Sequence, residues 1–451
     1  MKAAGREALA HKVLELALGA GATEAEVVIR EGSDFSASVR LQKLENLQQA
    51  SYRRLSLRAF DGKRAAVSAT SDFSMIAAGK LVSDALEMAR AAGEDPWAGL
   101  PSLESYAPKI PDLQVCFPLA SELPVEDKIA LASKCERAAL EADPRIINSE
   151  GAEFSDKLVH TLYCSSLGIR SAYSKTTVSL SVTPLAEWGG SKQRDYWLTT
   201  HLDLAKLEPP DQVGIEAARR TLRRLGARKI KTCEVPIVLE PLAAAAVLKH
   251  VSEAVSGTAI VRKASFFVGK LGARVASHLV TIRDDALLDG GTGSRPFDAE
   301  GIPSKSTVVV REGVLEGYLL DSYSGRKLGF SSTGNSNREP NGGPSVGPTN
   351  FFLEGGTASP AEIIASVKRG LIVTELIGFG ADIVSGNYSQ GASGIWIEDG
   401  QPSFPVEEVT IAGNLMDMLL GIEATGNDLR ALGEVFAPTV LIGKMIVSGG
   451  W

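Results

Sequence analysis

Glycine constrains this chain more than any other residue type. It supplies 45 of 451 residues, about a tenth against a usual ~7%, and the glycines crowd the stretch after residue 285. Glycine loses more backbone freedom on folding than any other residue, so this density fits tight turns and close backbone approach. Alternating segments flank several of the turns. Thr307–Arg311 and Val314–Leu320 border Glu312-Gly313, and Ile395–Ile397 leads into Asp399-Gly400; both read as hairpins. One short helix interrupts them. Ser359 caps it, Pro360 opens it, Glu362 completes a capping box and Gly370 ends it. Ahead of this region, Val235–Leu239 reads as a buried strand, and Pro241 opens an alanine-rich helix. The second half is therefore expected to be glycine-rich, mostly β and barrel-like.

The first half reads as α+β. Residues 5–19 have amphipathic helical spacing, with a stop at Gly19 or Gly21. Leu55, Leu57 and Ala59 share one strand face before an Asp61-Gly62 turn. Ser74 to Ala92 form a helix closed by Gly93, and a further helix runs from about Val125 to Ala142. Strands resume from 156 to 200, where Val178, Leu180 and Val182 alternate with Ser179, Ser181 and Thr183. The aperiodic stretch 94–123 carries Pro96, Pro101, Pro108, Pro111 and Pro118 and reads as a crossing segment or hinge. The pattern changes over residues 226–233. That divides the chain into an N-terminal α+β domain, 1–228, and a C-terminal β-rich domain, 229–451, within the two to three domains that ~150 residues per domain suggests.

Charge and cysteine content exclude several classes. Lys plus Arg total 47 and Asp plus Glu 54, a net −7 that gives no footprint for nucleic acid or an anionic membrane. Arg219, Arg220, Arg223 and Arg224, followed by Arg228, Lys229 and Lys231, are the one basic cluster. Without interleaved aromatics they read as a solvated helix face leading into a linker. No apolar run reaches the ~18 residues of a membrane span. The N-terminus lacks a signal peptide's apolar core, so a cytoplasmic protein is expected. Cys116, Cys135, Cys164 and Cys233 have no CxxC spacing and read as reduced thiols.

No HExxH, GxSxG or Walker loop occurs. Gly290-Gly291-Thr292-Gly293-Ser294 has phosphate-loop composition but no helix pattern after it, so a plain turn is expected. Asn335 to Asn350 is too long for a simple connector and reads as a mobile or site-forming loop.

Three segments carry a specific resemblance: 297–335 (FDAEGIPSKSTVVVREGVLEGYLLDSYSGRKLGFSSTGN), 370–400 (GLIVTELIGFGADIVSGNYSQGASGIWIEDG) and 405–429 (PVEEVTIAGNLMDMLLGIEATGNDL). They resemble the TldD/PmbA family, also called modulators of DNA gyrase, and the likeness extends more loosely across the N-terminal half. In the TldD branch a helical HExxxH motif and a C-terminal cysteine hold zinc, and the glutamate acts as general base of a peptidase. The matching residues here are Ser252-Glu253-Ala254-Val255-Ser256-Gly257. The glutamate stands as Glu253, Ser252 and Gly257 replace the histidines, and no cysteine follows Cys233. The resemblance thus implies the PmbA (TldE) branch, to which 249–272 (KHVSEAVSGTAIVRKASFFVGKLG) is also similar.

That branch implies a two-domain α+β fold, no metal and no catalytic residue in this chain, and zinc in a TldD-type partner. The implied assembly is a cytoplasmic peptidase acting on flexible or unfolded peptides, with this subunit shaping the chamber. Candidate substrate-binding residues are Asn335, Asn387, Tyr388, Ser389, Gln390 and Gly391, whose polar edges in glycine-flanked segments could meet a peptide backbone. Strand addition at a sheet edge is a second way to hold such a peptide. His250 and Glu253, three apart on one helical face, with His278 from a later segment, are the candidates for a relocated metal site. A stand-alone homodimeric peptidase or peptide-modifying enzyme is the alternative, and a gyrase-linked regulator that binds without catalysis is the second.

Overall fold

The computed structural model describes residues 2–339 and 342–449. The N-terminal domain contains α1 (Ala3–Gly19), β1 (Glu24–Arg40), β2 (Lys43–Asp61), β3 (Arg64–Thr70), α2 (Met75–Ala91), α3 (Leu119–Glu122) and α4 (Val125–Glu141). It continues through β4 (Ile146–Ser165), β5 (Arg170–Trp188), β6 (Ser191–Arg194), β7 (Trp197–His201) and α5 (Pro210–Leu222). The seven strands form one antiparallel sheet in the order β3-β2-β1-β4-β5-β6, with β7 also on β5.

Side-chain alternation splits this sheet between two tasks. On β1, Val27 and Ile29 pack under α1 and α2, while Phe35, Ala37 and Val39 pack under α4 and α5. The intervening even-numbered residues point the other way. Val28 joins Tyr163 of β4 in a small cluster with Phe297 of the second domain. One face therefore carries the helices and the opposite face meets the rest of the protein.

The C-terminal domain begins with β8 (Cys233–Leu239), α6 (Pro241–Ala254), α7 (Gly257–Val261), β9 (Ile282–Asp285), β10 (Ser306–Arg311), β11 (Val314–Leu315) and α8 (Ser322–Leu328). Then come β12 (Ser336–Arg338), β13 (Pro344–Val346), β14 (Phe351–Leu353), α9 (Pro360–Ala365), β15 (Arg369–Ile377), β16 (Asn387–Glu398) and β17 (Gln401–Asn414). It ends with α10 (Leu415–Leu420), β18 (Ile422–Thr425), β19 (Arg430–Leu432), β20 (Val435–Ala437) and β21 (Val440–Ser448). Strands β17-β16-β15-β8-β21 close into a five-stranded barrel through the β17–β21 pairing. A second sheet, β11-β10-β9-β14-β20-β19, lies beside it. The fold is thus α+β, with a helix-backed N-terminal sheet and a five-stranded barrel in the C-terminal part, as the glycine content and turns imply. No helix among the described residues is long and apolar enough to cross a membrane.

Several local expectations need correction. Strand β4 starts at Ile146, ten residues before 156, because Gly151 at positive φ and register shifts near Ser149 break its alternation. Ser359, Pro360 and Glu362 do start α9 with a capping box, but the helix stops at Ala365. Gly370 instead lies in β15, where a Cβ would come 2.7 Å from the Pro236 carbonyl oxygen. The short helices α7, α8 and α10 are too brief for a periodic signal, so α9 is not alone. The strand after Glu312-Gly313 covers Val314–Leu315 only. Residues 335–350 are not a simple loop: β12 and β13 pair as a hairpin, with positions 340 and 341 outside the described residues.

The arginines after residue 218 are also not a solvated face. Arg219 is exposed and pairs with Glu216, but Arg220 is buried, and Arg223 and Arg224 are largely so. Arg220 and Arg223 reach Glu240 at 3.1 and 2.5 Å, and Arg224 reaches Glu375 at 2.5 Å. The acidic partners come from the other domain, at separations no local pattern displays. Arg228 then stacks on Phe404 at 3.5 Å, and Lys229 pairs with Glu408.

A second junction is more deeply buried. Glu26 of β1 takes Arg338 of β12 at 2.5 Å and the Tyr163 hydroxyl at 3.1 Å. Arg58 of β2 lies 3.7 Å from both Glu26 and Glu300. Glu300 accepts the Ser322 N–H at 2.8 Å and the Ser322 hydroxyl at 2.6 Å. Nearby, Arg326 donates to the carbonyls of Trp97, Gly99 and Leu100, tying part of the 94–123 stretch to the second domain.

Burial acts on Glu26 to raise its pKa, but Arg338 and Arg58 outweigh it and hold the carboxyl below its ordinary range. Glu300 goes the other way. Burial, with Asp298 and Asp321 close by, pushes it up to about 8. Between the ordinary carboxylate pKa and about 8, the folded protein then holds a proton that the unfolded chain has released. This contribution to stability is complete below the unfolded pKa and is lost as pH rises through about 8. Asp298, pushed up to about 6, acts in the same sense at lower pH. Melting temperatures measured from pH 5 to 9 should fall less steeply in Glu300→Gln than in the unaltered chain. Equal slopes would remove Glu300 as their source.

Candidate functional site

The segment matching the zinc motif lies at the end of α6. Pro241 starts this helix where its missing N–H costs no hydrogen bond. Alanines and Val247, Leu248 and Val251 face the core. Ser252 is buried, and its hydroxyl turns back to donate to the Lys249 carbonyl at 2.7 Å. Its oxygen is thereby engaged within its own helix.

The helix ends before the motif does. Ala254 is its last residue, and Ser256 caps α7 by accepting the Ala259 N–H. Gly257 therefore begins a new helix, with its own N–H donating to the Leu319 carbonyl at 2.7 Å. A Cβ on Gly257 would be in hard contact with Ser324 Oγ, 2.6 Å from Ser324 Cβ and 2.9 Å from Leu320 Cδ2. Ser324 cannot swing aside freely, because its N–H and hydroxyl both donate to Asp321 in the capping box of α8. The space a histidine would need at 257 is filled by this turn.

Glu253 is half-exposed and lies 3.7 Å from His250 Nδ1, beyond hydrogen-bond length but close enough for an ion pair. His250 holds the Glu253 carboxyl below its ordinary range. His278 is exposed in the segment before β9. Among the described residues, no three His, Cys, Asp or Glu side chains are grouped to hold a metal ion. The donor set at 252, 253 and 257 offers a back-bonded hydroxyl, one carboxylate and no side chain, which does not fit tetrahedral zinc. The four cysteines are free thiols, Cys135 and Cys164 buried and Cys116 and Cys233 partly so.

The structure brings five of the six substrate-binding candidates together on β16. Alternation then divides them. Tyr388 and Gln390 point inward; the Tyr388 hydroxyl donates to Gln390 Oε1 at 2.8 Å, and Gln390 Nε2 to the Gly378 carbonyl at 2.8 Å. The Tyr388 ring also lies 6.4 Å from the His250 ring, linking β16 to the end of α6. Asn387 and Ser389 point outward and are exposed. Gly391 pairs with Ile377 and Thr410 in the barrel wall. Asn335 sits apart, in the segment just before β12, buried, its side-chain amide donating to Asp284 of β9 at 2.6 Å and to the Gly347 carbonyl. The 290–294 turn is likewise packed: Gly293 donates to Asn350 Oδ1 at 2.8 Å against the Thr349 backbone.

Sequence reasoning did not find the charged groups at the domain junction. Glu26, Arg30, Arg58 and Lys175 occupy the sheet face opposite the helices, where a charge on alternate positions reads as solvent-facing. No local signal announces that a second domain covers that face.

Comparison with known proteins accounts for nearly the whole chain. Residues 25–91, 118–225 and 232–449 match, in turn, domain 1, the central domain and the C-terminal domain of the PmbA/TldA metallopeptidase models. The chain is 35% identical to the metalloprotease PmbA of Escherichia coli O157:H7, over 97% of this chain and 94% of that one. It is 30% identical to a metalloprotease TldD homologue of Haemophilus influenzae, over 67% of this chain and 64% of that one. A crystal structure from Bacteroides thetaiotaomicron, described as a candidate modulator of DNA gyrase, superposes with a TM-score of 0.91 at 27% identity, covering both chains fully. TldE from Thermococcus kodakarensis shares the fold at a TM-score of 0.88 and 21% identity, over 98% of this chain and 100% of that one. This chain belongs to the PmbA/TldD metallopeptidase family.

Proposed function

We propose that this protein is the metal-free, non-catalytic subunit of a TldD/TldE-type cytoplasmic peptidase acting on flexible or unfolded peptides. It pairs with a zinc-bearing TldD-type subunit and contributes part of the substrate chamber. The observation that carries this reading is the packing at Gly257, where Ser324 and Leu320 occupy the place of a ligand side chain. Likeness to PmbA along nearly the full length, against two-thirds of the chain for the TldD homologue, supports the same branch. The relatives carry the name metalloprotease; here Ser252 and Gly257 stand where that chemistry needs two histidines.

Within the chamber, Asn387 and Ser389 are the proposed contacts to peptide backbone, since their side chains are exposed on β16. Tyr388, Gln390, Gly391 and Asn335 would support that strand or the neighbouring sheet. Strand addition has an available edge in β2, where β3 pairs residues 55–61 and leaves 43–54 without an outer ladder partner among the described residues. The division at residues 226–233 would let the barrel bind the partner as one unit.

Metal content and peptide hydrolysis, measured on the chain alone and after co-expression with a TldD-type protein, test the proposal. Stoichiometric zinc and hydrolysis are expected only in the pair. Both appearing in the isolated chain would overturn it and direct attention to His250, Glu253 and His278.

A double substitution probes the packing argument directly. Ser252→His with Gly257→His restores the motif's histidines in sequence, yet should bind no zinc and should lower stability by about 1–3 kcal/mol through overpacking against Ser324. Chemical denaturation with and without zinc reads this. A zinc-dependent gain in stability would show that the α7–α8 contact yields.

A further inference from the structure

Between the domains lies a cleft of about 420 Å³, within the size range of small-molecule sites. One wall is the helix-free face of the N-terminal sheet, with Arg30 on β1 and Tyr173 and Lys175 on β5. The other is Arg295 and Phe297 from the segment after β9, with Glu434 between β19 and β20. Tyr173 meets the buried Phe297 edge to face, their centroids 5.0 Å apart, so that the Tyr173 ring, backed by Phe297, forms the cleft's apolar side.

The charges around it are unevenly matched. Lys157 and Arg338, also on the walls, are committed to Asp34 and Glu26. Asp298 is held by the N–H groups of Glu300, Ile302 and Ser336. Lys175 and Arg30, in contrast, have no hydrogen-bond or ion-pair partner among the described residues. Arg295 directs Nη1 to Asn337 and Nη2 to the Gly334 carbonyl, which leaves a buried Nε with no partner. Two unpaired cations and a third with a spare donor thus face one uncommitted carboxylate, the exposed Glu434 at the rim. Burial pushes the Lys175 ammonium down to about 8; Arg295 and Arg30 add to this, and Glu434 opposes it. A bound anion would relieve that crowding.

The geometry points to a carboxylate-binding cleft, in which Lys175, Arg30 and Arg295 hold the terminal carboxylate of a peptide and the Tyr173 ring, backed by Phe297, receives its last, apolar side chain. A carboxylate on an apolar residue matches both sides of the cleft. A phosphate would leave the aromatic side unused and would set its greater charge against Glu434. Assigning the carboxylate to a chain end rests on the peptide-handling role proposed above; the cation cluster itself does not.

Fluorescence anisotropy on the full chain without partner tests it, using a labelled tetrapeptide ending in phenylalanine as free acid and as C-terminal amide. The acid should bind at least tenfold more tightly. Lys175→Met and Arg30→Gln should each erase that preference, and the Arg30 side chain is exposed with no hydrogen bond or ion pair among the described residues, so its substitution leaves the fold intact. Equal binding of acid and amide, or a preference that survives both substitutions, overturns the assignment. Competition by N-acetylphenylalanine as strong as by unlabelled peptide would identify free small carboxylates as the ligand; competition by peptide alone would identify chain ends. Absence of any acid preference, alongside hydrolysis by the partnered complex, would sink the cleft and leave the subunit reading standing.

Discussion

Glu26 and Arg338 form an ion pair whose two halves come from different domains. Taking both charges out of water costs several kcal/mol per ion, recovered only when the partner and the surrounding hydrogen bonds are all in place. Here the Tyr163 hydroxyl and the Ala299 carbonyl supply those bonds, and Arg58 bridges towards Glu300. A sliding of one domain over the other would leave Glu26, Arg58 and Arg338 buried without their complements. The pair is therefore a device for registration, and the orientation of the sheet against the barrel domain depends on it. The cleft exists because this registration holds Arg295 and Phe297 opposite Lys175 and Tyr173.

Close backbone contact does the corresponding work inside the barrel domain. Gly257 lets α7 lie against the cap of α8, Gly293 lets a turn rest on the Thr349 backbone, and Gly370 lets β15 pass the Pro236 carbonyl. At each place a side chain would force two backbone segments apart. Glycine enrichment in the second half therefore records contacts between non-neighbouring segments as well as the hairpin turns.

That distinction explains what could be read from the sequence. The helix with Ser359 and Glu362, the turn at Asp399-Gly400 and the face shared by Leu55, Leu57 and Ala59 are local patterns, and the structure contains each. Arg220, Arg223 and Arg224 read as solvated because Glu240 and Glu375 approach them only in the folded chain. Asn335 reads as a substrate contact because nothing near it in sequence reveals Asp284. Lys175 has no distinguishing signal at all: a lysine beside Ser174, Thr176 and Thr177 on a strand ordinarily faces water. The family motif was legible residue by residue, including its missing ligands. What fills their place required coordinates.

The packing at that position bears on what takes the place of the motif's two histidines. A zinc held by a helical motif and a distant cysteine acts as a cross-link, and removing its ligands from a site that depends on it would loosen the segments they join. In this chain hydrogen bonds fix the end of α6 instead. The Gly257 N–H binds the Leu319 carbonyl, the Leu319 N–H binds the Val255 carbonyl, and the Ser265 hydroxyl binds the Ala254 carbonyl. The end of α6 is thus fixed on two sides by hydrogen bonds, with Val251, Val255 and Ile260 in the barrel domain's core. Because these bonds involve backbone groups and a small residue, they hold α6, α7 and α8 too tightly for a histidine at 257. Structural support and metal ligation compete for the same few ångströms here, and the sequence Ser252–Gly257 resolves that competition in favour of support.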